Sequence, residues 1–331
     1  MRNLKRIQGL LIVAILLTGC THSTNKLIPA VDENTVVVHN YNSKQQQEIL
    51  YFKTEPSRVV AVWQNSVETL LALGLQDRIV AAIGVPDITV IKAEYQAAYR
   101  KLPIVSPQNL DCEHVLMLEP DFILGWSSTF TDKAIKTTDF WHNRGVNTYI
   151  AEASGNFKQE KKIEAEYRYI LDLGRIFSRE ERAGQIVREM QAEIAMIRDK
   201  TKDKPKPQAL IIEFLGKDIR AYGPNTLAGD ILSRVNGELA DTEDTISYER
   251  LIEINPEVIF LIVAEEYYQS NEFLVDRLLT NTALQGVTAI KHKRVQVVPL
   301  YCVYGSATRT IDGIKLFVKG LHPEIYEEKD K

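Results

Sequence analysis

The sequence has only three cysteines in 331 residues, Cys20, Cys112 and Cys302, too few and too widely spaced for a disulfide-stapled small fold. Cys112 and Cys302 are expected to stay unpaired, because their separation places them in different lobes. The six histidines, His22, His39, His114, His142, His292 and His322, show no paired ligand spacing, so no metal centre is expected. No run of Lys and Arg is long enough to track a phosphate backbone, and the net charge is −4; nucleic acid is excluded as a partner. There is no Gly-x-Ser-x-Gly elbow, phosphate-cradling loop or dinucleotide fingerprint, so an enzyme is not expected and no catalytic residue is assigned. The apolar run Leu10–Leu17 is about half the ~20 residues that a permanent membrane span needs.

The remainder is ordinary for a folded protein. Apolar residues at 45% and charged residues at 25% exclude disorder and a multi-span membrane protein, and the length suits about two domains. The first nineteen residues read as an export signal: Arg2, Lys5 and Arg6 precede the apolar run. The run ends in Leu17-Thr18-Gly19-Cys20, which resembles a bacterial lipobox. That resemblance implies cleavage before Cys20, acylation of its thiol, and an extracytoplasmic protein tethered to the membrane through residues 20–34 as a leash.

From Thr35 the pattern alternates. Val36–Val38 and Ile49–Phe52 suggest a hairpin, and Arg58–Val62, Val67–Leu75 and Arg78–Ile83 read as strand, helix and strand, the unit of a parallel sheet. An N-terminal α/β lobe is expected over 35–157, a helical region over 158–204 and a C-terminal α/β lobe over 205–331. The clearest helix runs from Arg179 to about Lys200, with Ser178-Arg179-Glu180-Glu181 expected to form a capping box and a stripe of Ala183, Ile186, Val187, Met190, Ile194 and Ile197. An internal similarity aligns Glu113–Leu124 with Glu249–Phe260: an acid begins each copy, and a helix end broken by Pro120 or Pro256 leads into a buried strand. Two lobes of related architecture joined by the long helix follow.

Arg58-Val-Val-Ala-Val, then Glu68-Thr-Leu-Leu-Ala-Leu-Gly-Leu, the Leu118-Glu119-Pro120-Asp121 corner, Lys293-Arg294-Val295 and the closing Leu321-His322-Pro323-Glu324 together resemble the substrate-binding proteins of ABC importers for iron-siderophores, haem and vitamin B12. The resemblance runs from about Val36 to the C-terminus. It implies an α/β fold of two lobes, each a mainly parallel sheet flanked by helices, joined by one long rigid helix in the manner of class III periplasmic binding proteins. It also implies a monomer without intrinsic cofactor, working with a permease dimer and its cytoplasmic ATPases. In the family an acidic residue matching Glu113 and one matching Glu249 dock on the permease. The chain departs from the family at the first strand-to-helix loop, where Trp63-Gln64-Asn65 stands in place of a common Ser-Pro pair.

Ligands in open parallel sheets bind at the carboxyl ends of strands. The residues expected there are Trp63, Asn65, Trp126 and Ser127 from the first lobe and Tyr222, Tyr268, Tyr301, Tyr304 and Arg309 from the second. Their flat, half-polar rings suit a bulky chelate. Carboxylates near the mouth, with only Arg220 and Arg309 as cations, favour a neutral or cationic iron(III) chelate of hydroxamate type; haem or cobalamin is the alternative ligand, and a surface adhesin the alternative function.

Overall fold

The computed structural model describes residues 32–108, 111–155, 160–264, 267 and 270–327. The export signal, Cys20, the first part of the leash and Tyr268 lie outside them.

An antiparallel ribbon of β1 (Val36–Tyr41) and β2 (Gln47–Phe52) opens the chain. The first lobe follows as β3 (Val59–Val62), α1 (Gln64–Ala72), β4 (Ile79–Ile83), α2 (Ala93–Tyr99), β5 (Val105–Ser106), α3 (Cys112–Met117), β6 (Phe122–Gly125), α4 (Thr138–His142) and β7 (Asn147–Ile150). Its five parallel strands take the order β5-β4-β3-β6-β7. Next come α5 (Ile163–Ile176) and α6 (Glu180–Thr201). The second lobe contains β8 (Gln208–Leu215), β9 (Asp218–Ala221), α7 (Leu227–Arg234), β10 (Glu238–Leu239), β11 (Thr245–Ile246), α8 (Tyr248–Ile254), β12 (Val258–Val263), α9 (Glu272–Leu279), α10 (Thr288–Lys291), β13 (Val295–Pro299), α11 (Thr310–Leu321) and α12 (Glu324–Glu327). Its sheet is ordered β11-β9-β8-β12-β13, with β10 beside the start of β8 and β9 antiparallel to its neighbours.

The central strands are buried on both faces, which is why they read as unbroken apolar runs. In β12, Val258, Phe260 and Ile262 join one core cluster while Ile259, Leu261 and Val263 join another. The first of these clusters is continuous through both lobes, taking in Val59 and Phe122 from one sheet, Ala209 and Phe260 from the other, and Ile170, Leu173, Ile186 and Met190 between them.

The long helix α6 is accompanied by α5, packed antiparallel to it, and both reach both lobes. At one end of α5 the Ile163 N–H donates to Asp230 Oδ2 at 3.0 Å, and at the other Arg175 Nη2 donates to the Val37 carbonyl at 2.8 Å. Helix α6 starts beside α1, where Arg182 Nε donates to the Ala72 carbonyl, and ends where Asn236 Nδ2 donates to the Thr201 carbonyl. The capping box expected at Ser178 does not form. The tight reversal between the two helices puts Ser178 at φ +51°, outside the extended geometry that an N-cap hydroxyl needs, and Arg179 becomes the N-cap without a side-chain bond.

The internal similarity is structural. Asp111 and Ser247 cap α3 and α8 by accepting the N–H of His114 and Arg250, Glu119 and Asn255 both take positive φ before the prolines, and Asp121 and Glu257 accept the N–H groups of Arg58 and Gln208 at the start of the neighbouring strand.

Gly174 marks the closest approach of the spanning helices, since a Cβ there would lie 2.5 Å from Ala183 Cβ. Gly174→Val is expected to destabilise the fold by ~1–3 kcal/mol through forced separation of α5 from α6. Urea unfolding followed by circular dichroism checks this, and an unshifted midpoint would contradict it.

Candidate functional site

Strand β3 ends at Trp63, whose φ of +71° and ψ of 156° is a backbone state that bulky L-residues avoid and that concentrates at functional sites. It is held there by its N–H on the Ile83 carbonyl (2.8 Å) and its indole Nε1–H on Thr129 Oγ1 (3.0 Å). Strand β6 ends one residue before Trp126, which stacks on Trp63 with ring centroids 4.9 Å apart and planes at 21°. From the second lobe Tyr304 meets Trp126 edge-on at 5.2 Å, and its hydroxyl donates to the Ser154 carbonyl at 2.8 Å. Ser127 fastens the same residue, its N–H donating to Ser154 Oγ and its hydroxyl to the carbonyl. Gly305, at φ +53°, lets the second lobe's loop come this close, since a Cβ there would lie 3.1 Å from Trp126 Nε1. Trp63, Trp126 and Tyr304 form one aromatic shelf across the lobe junction. Beside it, the Asn65 amide, Trp126 Nε1 and Thr308 Oγ1 are buried with no hydrogen-bond partner among the described residues.

Three residues expected to face a ligand are committed elsewhere. Arg309 Nε donates to the buried Glu68 at 2.5 Å, Nη1 to Asp312 at 2.9 Å and Nη2 to the Val90 carbonyl, so it clasps the lobes together. Tyr301 is buried in the shared core beneath the Arg309 guanidinium. Tyr222 is 2% exposed and donates its hydroxyl to Glu213 Oε2 at 2.7 Å; burial, then the Glu213 charge, holds its phenol well above the usual tyrosine range. Sequence reading ranked them by their position after strands, which says nothing about which neighbour a side chain meets.

A second attachment between the lobes is Glu166 on α5. Its Oε2 accepts the backbone N–H of Ala307, and burial pushes its carboxyl up to about 7.

The site also has cations that the sequence did not rank. Lys161, where the chain enters α5, places Nζ 5.4 Å from the centre of the Tyr304 ring, and Arg220 on β9 lies 4.8 Å over Tyr222. Position in the sequence gave no sign of Lys161, because it lies outside every strand-to-helix loop; the crossing of the chain between lobes was the available signal. At the carboxyl ends of β8 and β12, Glu213, Phe214, Ala264, Tyr267, Phe273 and Arg277 line a cavity of about 440 Å³.

Glu113 and Glu249 are exposed in the first turns of α3 and α8. Each helix follows a strand that runs parallel to the central strand of its sheet, β5 directly and β11 through two antiparallel steps. Both carboxylates therefore lie toward the end of their lobe that carries the shelf and the cavity. Cys112 and Cys302 are free thiols. Among the described residues no helix is long and apolar enough to cross a membrane.

Two α/β lobes with an aromatic shelf at their junction define a solute-binding protein of the two-lobed type. The family described as periplasmic binding protein matches residues 59–300, and the chain belongs to that family. It is 22% identical to the ABC transporter substrate-binding lipoprotein YvrC of Bacillus subtilis (strain 168) over 97% of each chain. It is 24% identical to the iron-uptake system-binding protein of the same organism, over 56% of this chain and 57% of that protein. The crystal structure of a periplasmic binding protein from Veillonella parvula DSM 2008 shares 41% identity and a TM-score of 0.83, over 89% of this chain and 93% of that one. The fold is likewise that of an ABC-type Fe3+-hydroxamate transport system protein from Saccharomonospora viridis DSM 43017, with a TM-score of 0.71 and 19% identity over 86% of this chain and 98% of that one. The chain is thus a substrate-binding protein of an ABC importer in the iron-siderophore, haem and cobalamin group, and not an enzyme. Such proteins work with a permease and its ATPase, and no intrinsic cofactor is expected for the family.

The raised carboxyl of Glu166 gives the fold a pH dependence. Its folded value of about 7 exceeds the ordinary 4.5, so between these the native state binds more protons than the unfolded one, and stability falls as pH rises through that window. Glu166→Gln is expected to remove a slope worth on the order of 3 kcal/mol across it, measured as melting temperature from pH 4.5 to 7.5. Parallel profiles for the variant and the parent would contradict this.

Proposed function

We propose that this protein captures a bulky iron(III) chelate at the lobe junction and delivers it to the permease while tethered to the membrane through an acylated Cys20. The observation that carries the reading is the Trp63–Trp126–Tyr304 shelf, contributed by both lobes and built on a strained Trp63. Stacked indoles with one edge-on phenol offer a large rigid apolar face, and the unpartnered Asn65 amide and Thr308 hydroxyl beside it supply polar groups for a ligand rim. The preference for a hydroxamate chelate rested on a shortage of cations in the mouth. Lys161 and Arg220 beside the shelf weaken that premise, so the ligand is placed here only as an iron chelate of the size the shelf suits. The printed names of relatives, an iron-uptake system-binding protein and cobalamin-binding proteins, agree with ligands of that bulk.

Trp141 is buried with its Nε1 on the Ile135 carbonyl, so a ligand-dependent fluorescence change reports on Trp63 and Trp126. Titration with a panel of ferric chelates is expected to quench it, and Trp126→Ala to weaken the best ligand by ~1–3 kcal/mol. Unchanged affinity in that variant would put the site elsewhere.

Docking is proposed for Glu113 and Glu249, one exposed carboxylate per lobe at equivalent positions of the repeat. Exposed ion pairs are individually weak, ~0–1 kcal/mol, yet they orient an encounter. In cells, the double variant Glu113→Lys, Glu249→Lys is expected to keep membrane attachment and chelate affinity but lose most iron uptake, whereas Cys20→Ala is expected to lose attachment with affinity intact. Wild-type uptake in the double variant would refute the docking assignment, and attachment of Cys20→Ala would refute the anchor.

A further inference from the structure

We infer that the transported ligand carries an anionic oxygen group, and that Lys161 and Arg220 receive it beside the ring of Tyr304. The inference rests on the chelate-binding reading above and adds the charge of the ligand to it.

The argument begins with what surrounds Lys161. Its backbone is fixed, the N–H donating to the Asn225 carbonyl at 3.1 Å, and its side chain is partly withdrawn from water against Tyr304. A cation withdrawn from water is ordinarily paired with an anion, because its desolvation is otherwise uncompensated. The carboxylates flanking Lys161 in the chain already have partners: Glu152 pairs with Arg168 at 2.6 Å and Glu160 with Lys162 at 2.5 Å. The second cation lies close enough that, after burial, it is the next influence lowering the Lys161 ammonium below the usual lysine range. No carboxylate among the described residues makes an ion pair with Lys161.

Arg220 is only partly neutralised. Its Nη1 is 3.8 Å from Glu213 Oε2, an oxygen that also accepts the Tyr222 hydroxyl at 2.7 Å. Two cations therefore face one shared carboxylate, leaving a net positive charge where the Tyr304 end of the shelf meets the cavity that Glu213 helps to line. Two like charges held near each other in a partly dry site repel, and an anion between them removes both the repulsion and the desolvation cost. Arg supplies a planar fork of donors for oxygen and Lys a movable ammonium, so the pair suits carboxylate, catecholate or propionate oxygens. The aromatic faces remain free for the apolar body of the same molecule.

The test uses the full-length protein and tryptophan fluorescence titration with five probes: ferric tris-catecholate, ferric citrate and haemin, which carry anionic oxygen, and a neutral ferric trihydroxamate and cobalamin, which do not present one to a pair of cations in the same way. At least one anionic probe is expected to bind ten-fold or more tighter than both others, with an affinity that falls as salt rises. Which anionic probe wins tells catecholate, carboxylate and propionate sources apart. Lys161→Met and Arg220→Met should each weaken that probe at least ten-fold, and Lys161→Arg should restore most of the loss; the melting temperature of each variant separates this from misfolding. A tighter fit for the trihydroxamate or cobalamin, or undiminished anionic binding in both Met variants, would overturn the inference and leave the chelate-binding reading standing. If no probe bound at all, both would fall together.

Discussion

The carboxylate of Glu68 is fully buried, and the site is organised around the need to satisfy it. One oxygen accepts the Lys92 N–H at 2.6 Å, and the other accepts Gln64 Nε2 at 3.0 Å and Arg309 Nε at 2.5 Å. A charge that deep is tolerable only when paired and hydrogen-bonded, and taking away one partner costs more than replacing both with apolar groups. Glu68 belongs to α1 in the first lobe and Arg309 to the loop before α11 in the second. The requirement for pairing therefore fixes the loop after β13 against α1. That loop brings Tyr304 onto Trp126 and lets Ala307 donate to Glu166. The clasp thus positions half of the aromatic shelf without touching the face that a ligand would meet.

The spanning helices make the same junction stiff in a different way. Because α5 and α6 each reach both lobes, a hinge movement has to bend or slide two packed helices rather than rotate one linker. The core cluster is continuous from Val59 and Phe122 through Leu173 and Met190 to Phe260, so wide opening would also expose apolar surface, at roughly 25 cal/mol per Å². Ordering such a molecule around a ligand asks for small shifts of loops and side chains, and a preformed aromatic shelf is the kind of surface that works under that restriction.

Much of this was legible in the sequence because burial leaves a period. Doubly covered strands appear as unbroken apolar runs, and the stripe on α6 appears at helical spacing. The repeat was visible because a helix stop, a proline and a strand-opening acid impose identities at fixed distances. Partner choice was not legible. Arg309 and Tyr222 sit near the ends of β13 and β9, as expected, yet each meets a buried carboxylate there, Glu68 and Glu213, and is turned from the ligand. Lys161 was passed over because its importance comes from the chain crossing between lobes beside Tyr304, a long-range fact with no local pattern. Ser178 misled for a related reason: the capping signature was local, while the antiparallel packing of α5 on α6 dictated the backbone angle.

The repeat also separates what the two lobes share from what they do not. Sheet register makes Val59 and Ala209 equivalent, since they pair with Phe122 and Val258 at the same place in the two copies. Counting along β3 and β8 then sets Trp63 opposite Glu213. At that position the first lobe presents a strained indole and the second a carboxylate bound by Tyr222 near Arg220. Away from it, the caps, the positive-φ residues before proline and the exposed first-turn glutamates recur in both lobes. A partner with two related halves asks the same of each lobe, so duplicated carboxylates fit the docking proposed for Glu113 and Glu249. A single ligand between the lobes imposes no such symmetry. An aromatic wall on one side and a polar, charged one on the other orient it, and the duplicated scaffold has diverged where that orientation would be set.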